Sequence, residues 1–82
     1  MEGKRRNGIL RKFGMALRRQ RRQAKLTQED LADLAGIERS HVGNIERGEN
    51  NLTLVSIVKL CDALKVNPSD LLVDLDKWPK ER

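Results

Sequence analysis

The sequence has 82 residues, enough for one small domain with a modest hydrophobic core. No apolar run approaches the roughly 18 residues that a membrane helix requires, which excludes a membrane-spanning protein. The single cysteine, Cys61, excludes an internal disulfide, and the basic N-terminus lacks the apolar core of a signal peptide. We therefore expect a soluble, cytoplasmic protein, and so small a chain favours association with a partner subunit.

The net charge of +5 is unevenly distributed along the chain. Residues 1–25 contain ten lysines and arginines against one acidic residue, a net charge of +9, whereas the remaining residues carry a net charge of −4. A basic block followed by an acidic remainder is typical of a protein that meets a polyanion with one side of its surface. The alternative is a solvated helix face with a disordered tail.

Five segments carry the helical period, so the sequence predicts an all-α, five-helix domain over residues 9–76. Residues 1–8 are predicted to form a flexible basic tail, and residues 77–82 a frayed C-terminus. The first helix is expected from about residue 9 to residue 24, because apolar residues recur there at three- and four-residue steps. That stripe consists of Leu10, Phe13, Gly14, Leu17, Ala24 and one charged residue, Arg21.

The second and third helices have clear boundary signals. Thr27 is a good N-cap for the second helix, with Asp30 near the capping-box position and Gly36 as its end. The third helix is predicted to start near Glu38 or Arg39 and to stop at Gly48. A linker of three or four residues containing a glycine joins the two, which is the spacing of a helix-turn-helix.

Two more helices complete the pattern. Thr53 caps the fourth, whose broad apolar face runs from Leu54 to Leu64. Asn67 or Pro68 begins the fifth, because proline fits the first helical turn.

Taken together, the segment LTQEDLADLAGIERSHVGNIERGENNLTLVSIVKLCDALKVNPSDLL resembles the lambda-repressor-like, Cro/cI-type DNA-binding domains, also called the XRE family. The resemblance runs from about residue 17 to residue 72. It rests on the TQ opening of the second helix, LA twice, the glycine at the turn, IERG closing the third helix and AL in the fourth. The chain departs from the common pattern at Leu52, where proline is frequent. The resemblance implies a lambda-repressor-like helix-turn-helix domain that binds double-stranded DNA.

Within that family, the GNIERGENNLTL run and the chain length are most similar to controller proteins of restriction–modification systems. Those proteins are stand-alone dimers, so the resemblance implies a homodimeric transcriptional regulator.

Arg21 stands on the core side of the first helix, and an unpaired buried charge costs several kcal/mol. Glu46, next to Ile45 on the third helix, is the expected partner, and the resemblance implies the same ion pair. The alternative is that Arg21 extends to solvent or to a phosphate.

The second helix of such a motif enters the major groove with its N-terminal residues facing the bases. Val42 and Ile45 are expected to pack inward, which leaves a candidate base-contacting face of Arg39, Ser40, Gly43 and Asn44. Arg39 leads this set, because a guanidinium can donate two bonds to guanine, whereas asparagine prefers adenine. We expect Gly43 on the DNA-facing surface, where the missing Cβ lets the helix come closer to the bases. The alternative is that glycine has no role there and is simply tolerated at an exposed position.

Other polar residues suit contacts with DNA phosphates. Gln28 begins the second helix, where free N–H groups favour an anion, and the resemblance implies the same role. The single histidine, His41, suits a phosphate contact at the flank of the third helix; the alternative is a solvated surface histidine. The complete candidate set is Gln28, His41, Arg47, Asn50, Asn51 and Arg22.

One such domain makes few base contacts, so we expect a two-fold dimer reading half-sites about 34 Å apart. The expected interface comprises the late apolar residues Val66, Leu71, Leu72, Leu75 and Trp78, some of which must instead close the core.

No enzyme is indicated, because the chain has no second histidine, no cysteine–histidine pair with metal spacing and no phosphate-cradling glycine loop. We expect no metal, no cofactor and no small-molecule ligand. One alternative function is an antitoxin or adaptor that uses this fold to bind a protein partner. A basic amphipathic helix for membranes or calmodulin is disfavoured, because the bundle needs the apolar stripe of the first helix.

Overall fold

The computed structural model describes residues 3–77. Five α-helices follow one another in that range: α1 (Gly3–Gln23), α2 (Gln28–Ala35), α3 (Arg39–Glu46), α4 (Leu54–Leu64) and α5 (Pro68–Leu72). A 3₁₀ helix, Val73–Lys77, closes the described chain. The predicted all-α, five-helix fold is confirmed, and α2 and α3 are separated by the three residues 36–38.

The first helix begins six residues earlier than predicted. Residues 3–8, expected as a flexible tail, are helical, and the helix ends at Gln23, which leaves Ala24 exposed in the following turn. The prediction was wrong because it counted only apolar residues. Lysine and arginine are good helix formers, and a helix that is already nucleated extends through them without apolar partners. Of the predicted frayed C-terminus, residues 77–82, only Lys77 lies within the described residues. Trp78 lies outside them.

The predicted helix starts are confirmed by their caps. The Thr27 hydroxyl accepts a hydrogen bond from the Asp30 N–H at 3.0 Å, and the Asp30 carboxylate accepts from the Thr27 N–H at 3.0 Å. Thr53 accepts from the Ser56 N–H at 3.1 Å at the start of α4. Such caps satisfy N–H groups that the helix itself leaves without partners, and each contributes about 1 kcal/mol.

Helix α3 ends at Glu46, two residues before the predicted stop, and Gly48 forms the turn that follows. Gly48 has a φ of +74°, and the Glu49 N–H donates to the Asn44 carbonyl at 2.9 Å. This is a Schellman ending, in which the left-handed residue belongs just outside the helix. Gly48 also lies against the Arg11 backbone, since a Cβ on it would come within 2.9 Å of the Arg11 Cα.

One hydrophobic core joins all five helices. Its largest fully buried side chains are Leu17, Leu31, Val42, Ile45, Leu60, Cys61 and Leu71. Burying each large aliphatic side chain stabilises the fold by about 1.5–3 kcal/mol. Leu71 is only 1% exposed, so its expected place in a dimer interface was wrong: it closes the core from α5.

Helix α1 meets α3 backbone to backbone at Gly14. A Cβ on Gly14 would lie 2.6 Å from the Glu46 carbonyl oxygen and closer still to that of Ile45. In the sequence, Gly14 is one member of the apolar stripe, and its spacing gives no sign that the position requires glycine. This contact fixes the distance between α1 and α3, and thereby the pose of α3.

Several large apolar residues of α2 and α4 are exposed. Leu34 of α2 is 61% exposed, and Leu54, Val55 and Val58 of α4 are 73%, 64% and 42% exposed. Helix α4 is apolar around most of its circumference, so periodicity alone does not identify which face packs inward. The three α4 residues share one side of the helix and are called the α4 patch below.

Candidate nucleic-acid interface

Helix α3 presents its first turn to solvent while its opposite face is anchored in the core. Arg39 and Ser40 are exposed and Asn44 is half-buried, whereas Val42 and Ile45 are fully buried. This division follows from the helical period, because Val42 and Ile45 are three residues apart and therefore share the inner face. The structure thus brings three of the four residues predicted to contact bases to one accessible surface.

The fourth, Gly43, is buried. The Arg47 guanidinium and the Gln28 side chain cover it: a Cβ at position 43 would lie 3.2 Å from Arg47 Nη1 and 3.6 Å from Gln28 Oε1. The expectation that Gly43 itself faces DNA was therefore wrong, because the N-terminus of α2 and the end of α3 converge over this point. Its missing side chain makes room for Arg47.

Glu46 connects α3 to both neighbouring helices. Its side chain is fully buried, and it accepts hydrogen bonds from Arg21 Nε at 2.6 Å and Arg21 Nη2 at 3.0 Å. Arg18 Nε and Gln28 Nε2 donate to Glu46 Oε1 at 3.3 and 3.2 Å. The expected pair of Arg21 and Glu46 is therefore present, and Arg18 and Gln28 are two further donors that were not predicted.

This arrangement controls the ionisation of Glu46. Burial by itself raises the pKa of a carboxyl group, but the hydrogen bonds from Arg21 and Gln28 and the positive charge of Arg21 outweigh it. The pKa of Glu46 is consequently held below its ordinary range. A buried ionised carboxylate with several donors stabilises the relative positions of α1, α2 and α3.

Arg21 also closes the turn between α1 and α2. Its Nη1 donates to the Leu26 carbonyl at 2.9 Å, at the entrance to α2. One side chain therefore holds both the start of the helix-turn-helix and the end of α3.

Arg47 and Asn44 form a second polar cluster at the end of α3, together with Glu49. Arg47 Nε donates to Glu49 Oε2 at 3.1 Å, and Arg47 Nη2 donates to Glu49 Oε1 at 3.3 Å and to Asn44 Oδ1. Glu49 was not among the predicted residues. Its position two residues after Arg47, across the helix end, is a signal that could have identified it. Arg47 was expected to contact a phosphate, and in this structure it is paired with protein groups.

The remaining candidates for phosphate contact are dispersed. His41 and Asn50 are half-buried and Asn51 is exposed. The Asn51 side chain accepts from the Leu52 N–H at 3.0 Å and borders a shallow groove with Arg6 of α1.

Arg22 is exposed on the outer face of α1, and no described contact joins it to α3. The same face carries Met15, Arg18 and Arg19. The structure therefore groups Arg22 with these α1 residues rather than with the reading surface.

The other residues expected at a dimer interface are half-buried: Val66, Leu72 and Leu75. Val66 and Leu72 pack on the edge of the core. Among the described residues, no helix is both long enough and apolar enough to cross a membrane.

Comparisons with known proteins agree with this geometry. A family model described as helix-turn-helix matches residues 17–71. The chain is 39% identical to the control protein C.BamHI of Bacillus amyloliquefaciens, over 80% of this chain and 83% of the relative. It is 40% identical to the control protein C.SmaI of Serratia marcescens over 57% of this chain, a match that spans only 56% of that relative. The restriction-modification controller protein C.AhdI of Aeromonas hydrophila has a similar crystal structure, with 50% identity, a TM-score of 0.75 and coverage of 76% and 94% of the two chains.

Proposed function

Since this chain belongs to the helix-turn-helix family of DNA-binding transcriptional regulators, we propose that it is the controller protein of a restriction–modification system. It acts in the cytoplasm as a homodimer that binds a two-half-site operator and regulates its own promoter and a neighbouring gene. The observation that carries this proposal is the exposed turn of α3, with Arg39 and Ser40 in solvent and Glu46 tied to α1 and α2 behind it.

Sequence recognition is assigned to the exposed side of α3. Arg39 is the leading reader, because its guanidinium can make two parallel bonds to guanine O6 and N7. Ser40 and Asn44 read adjacent bases. Each good base contact contributes about 1–3 kcal/mol of discrimination.

Phosphate contacts orient α3 in the groove without reading sequence. Gln28 fits this role at the N-terminus of α2, where its bond to Glu46 Oε1 fixes the side chain relative to α3. His41, Asn50 and Asn51 contact the backbone on the other side of the reading surface. With about six to ten phosphates contacted per dimer, affinity falls by roughly 10³ to 10⁵ between 50 and 200 mM salt.

Dimerisation is assigned to the α4 patch. Leu54, Val55 and Val58 expose apolar surface on one helix face, and a two-fold axis along that face would bury both copies against each other. An exposed cluster of this kind is unfavourable in an isolated monomer.

A mobility-shift assay on the DNA upstream of the gene tests recognition. Arg39→Ala is expected to abolish the preference for the operator while salt-dependent binding to unrelated DNA persists. Arg19→Ala is the matched control: it removes the same charge, but Arg19 pairs with Asp74 at 3.4 Å and is not on α3. If Arg39→Ala retained full operator preference, the assigned reading surface would be wrong. If the wild-type protein bound no operator and captured a protein instead, the adaptor function would replace this one.

Sedimentation equilibrium tests the interface. Leu54→Ser is expected to shift the protein from dimer to monomer, whereas Leu34→Ser, an equally polar change at an exposed leucine of α2, leaves the dimer intact. Dimers that persist in Leu54→Ser, Val55→Ser and Val58→Ser would move the interface elsewhere.

A further inference from the structure

The N-terminal half of α1 lies against the loop between α3 and α4, residues 47–53. A Cβ on Gly48 would lie 2.9 Å from the Arg11 Cα, so the loop begins directly against the α1 backbone. Further along the same loop, Asn51 borders a shallow groove with Arg6 of α1. The first turns of α1 therefore run beside the loop to which phosphate contacts are assigned.

The helical period explains why Arg11 lies beside this loop. Arg11, Gly14 and Arg18 follow one another at three- and four-residue steps, so they share one side of α1. On that side, Gly14 meets the α3 backbone and Arg18 donates to Glu46 at 3.3 Å. Arg11 is the next residue towards the N-terminus, at the level where α3 has ended and the loop has begun.

Arg6 and Arg11 are both available to an external anion. Their side chains are exposed, and neither forms an ion pair with another of residues 3–77. The loop contributes a single carboxylate, Glu49, which pairs with Arg47 at 3.1 Å. The surface formed by Arg6 and Arg11 beside the loop therefore attracts negative charge.

We propose that Arg6 and Arg11 extend the DNA-binding surface along α1, each contacting a phosphate next to those contacted by Asn50 and Asn51. The two arginines are about 7.5 Å apart along the helix axis, far enough to meet separate phosphates. Such contacts add affinity without reading bases. This inference rests on the proposed function, because the assigned phosphate contacts of the loop determine where the DNA backbone lies.

The salt dependence of DNA binding tests the proposal, in titrations of an unrelated duplex and of the DNA upstream of the gene from about 50 to 200 mM NaCl. Each phosphate contact contributes about 0.9 to the slope of log affinity against log salt, so Arg6→Gln and Arg11→Gln should each reduce the slope by about 1.8 per dimer. The loss of affinity in each variant should accordingly be about 12-fold larger at the lower salt concentration than at the higher one. Arg6→Lys and Arg11→Lys keep the charge and should retain the wild-type slope.

Arg19→Gln is the matched control, because it removes an exposed arginine of α1 that pairs with Asp74 instead of bordering the loop. Its slope should equal that of wild type. Interference by phosphate ethylation locates the contacts: the phosphates at which interference disappears in Arg6→Gln should adjoin those at which it disappears in Asn51→Ala. Thermal unfolding verifies that each variant is folded.

Wild-type slopes in Arg6→Gln and Arg11→Gln, or an equal reduction in Arg19→Gln, would overturn the inference while the regulator function stands. A wild-type protein that binds every duplex with the same affinity would overturn the proposed function, and the slopes measured on the unrelated duplex would still decide whether the two arginines contact phosphates. A wild-type protein that binds no DNA would overturn both.

Discussion

Gly14, which contacts α3, and Gly43, which lies within α3, should respond to the same substitution with opposite effects on stability. In Gly14→Ala, the new Cβ lies 2.6 Å from the Glu46 carbonyl oxygen, whereas ordinary contact begins near 3.4 Å. The opposing atoms belong to the α3 backbone, so no rotamer relieves the clash and α1 must withdraw by about 1 Å. Overpacking of this severity costs about 3 kcal/mol, and the gain of alanine over glycine in a helix offsets about 1 kcal/mol of it.

In Gly43→Ala the obstructing atom is Arg47 Nη1 at 3.2 Å, the far end of a flexible side chain that can move by a few tenths of an ångström. The helix-propensity gain of about 1 kcal/mol therefore remains nearly intact. We expect Gly14→Ala to be less stable than wild type by about 2 kcal/mol and Gly43→Ala to be slightly more stable.

Thermal and urea unfolding at one fixed protein concentration measure both effects, since the proposed dimerisation would make the melting temperature depend on concentration. For a domain of this size, 1 kcal/mol corresponds to about 4–8 °C in Tm. Gly14→Ala should therefore melt roughly 10 °C below wild type. A Gly14→Ala protein as stable as wild type would refute the close approach of α1 and α3.

Three further predictions concern the contacts that hold the helices together. Arg21→Ala should lower the free energy of unfolding by about 2–4 kcal/mol. Arg18→Ala should lower it by less than about 1 kcal/mol, because it removes one hydrogen bond of 3.3 Å from a partly exposed side chain; equal urea midpoints for the two variants would argue against the pair of Arg21 and Glu46. The pKa of Glu46 is lowered in the folded state, so the ionised carboxylate stabilises the fold above its ordinary pKa of 4.5, and this stabilisation is lost as the pH falls below that value. Urea titrations from pH 3 to 7 should therefore show that the free energy of unfolding falls less steeply with acid in Glu46→Gln than in wild type. Lys65 has a φ of +59°, a left-handed conformation that glycine adopts without the strain of a Cβ. Lys65→Gly should therefore raise the free energy of unfolding by about 1 kcal/mol, whereas Lys65→Ala should not. A Lys65→Gly protein with the stability of wild type would contradict the left-handed conformation at the end of α4.

The contrast between Gly14 and Gly43 shows where reasoning from sequence reached its limit. Gly43 interrupts a short helix, and this position predicts a role at the DNA surface. Gly14 belongs to a regular apolar stripe, and its position predicts no special role. The packed helices reverse the two interpretations: Gly14 permits the backbone contact, and Gly43 leaves space for Arg47.

The sequence by itself determined the local structure. Thr27, Thr53 and Asn67 set helix starts through short-range hydrogen bonds, and the glycine at position 36 set the turn of the motif. The pair of Arg21 and Glu46 was also predictable, because a charge in an apolar stripe requires a partner whatever the details of packing.

Only the tertiary structure decided which apolar residues face inward and which polar atoms are already committed. Leu71 enters the core while Leu54 remains exposed, although both lie on apolar helix faces. Asn44 accepts a hydrogen bond from Arg47, and Arg47 also pairs with Glu49 beyond the helix end. Periodicity describes one helix at a time, whereas burial and hydrogen-bond occupancy depend on distances between helices, which are fixed only when all five pack together.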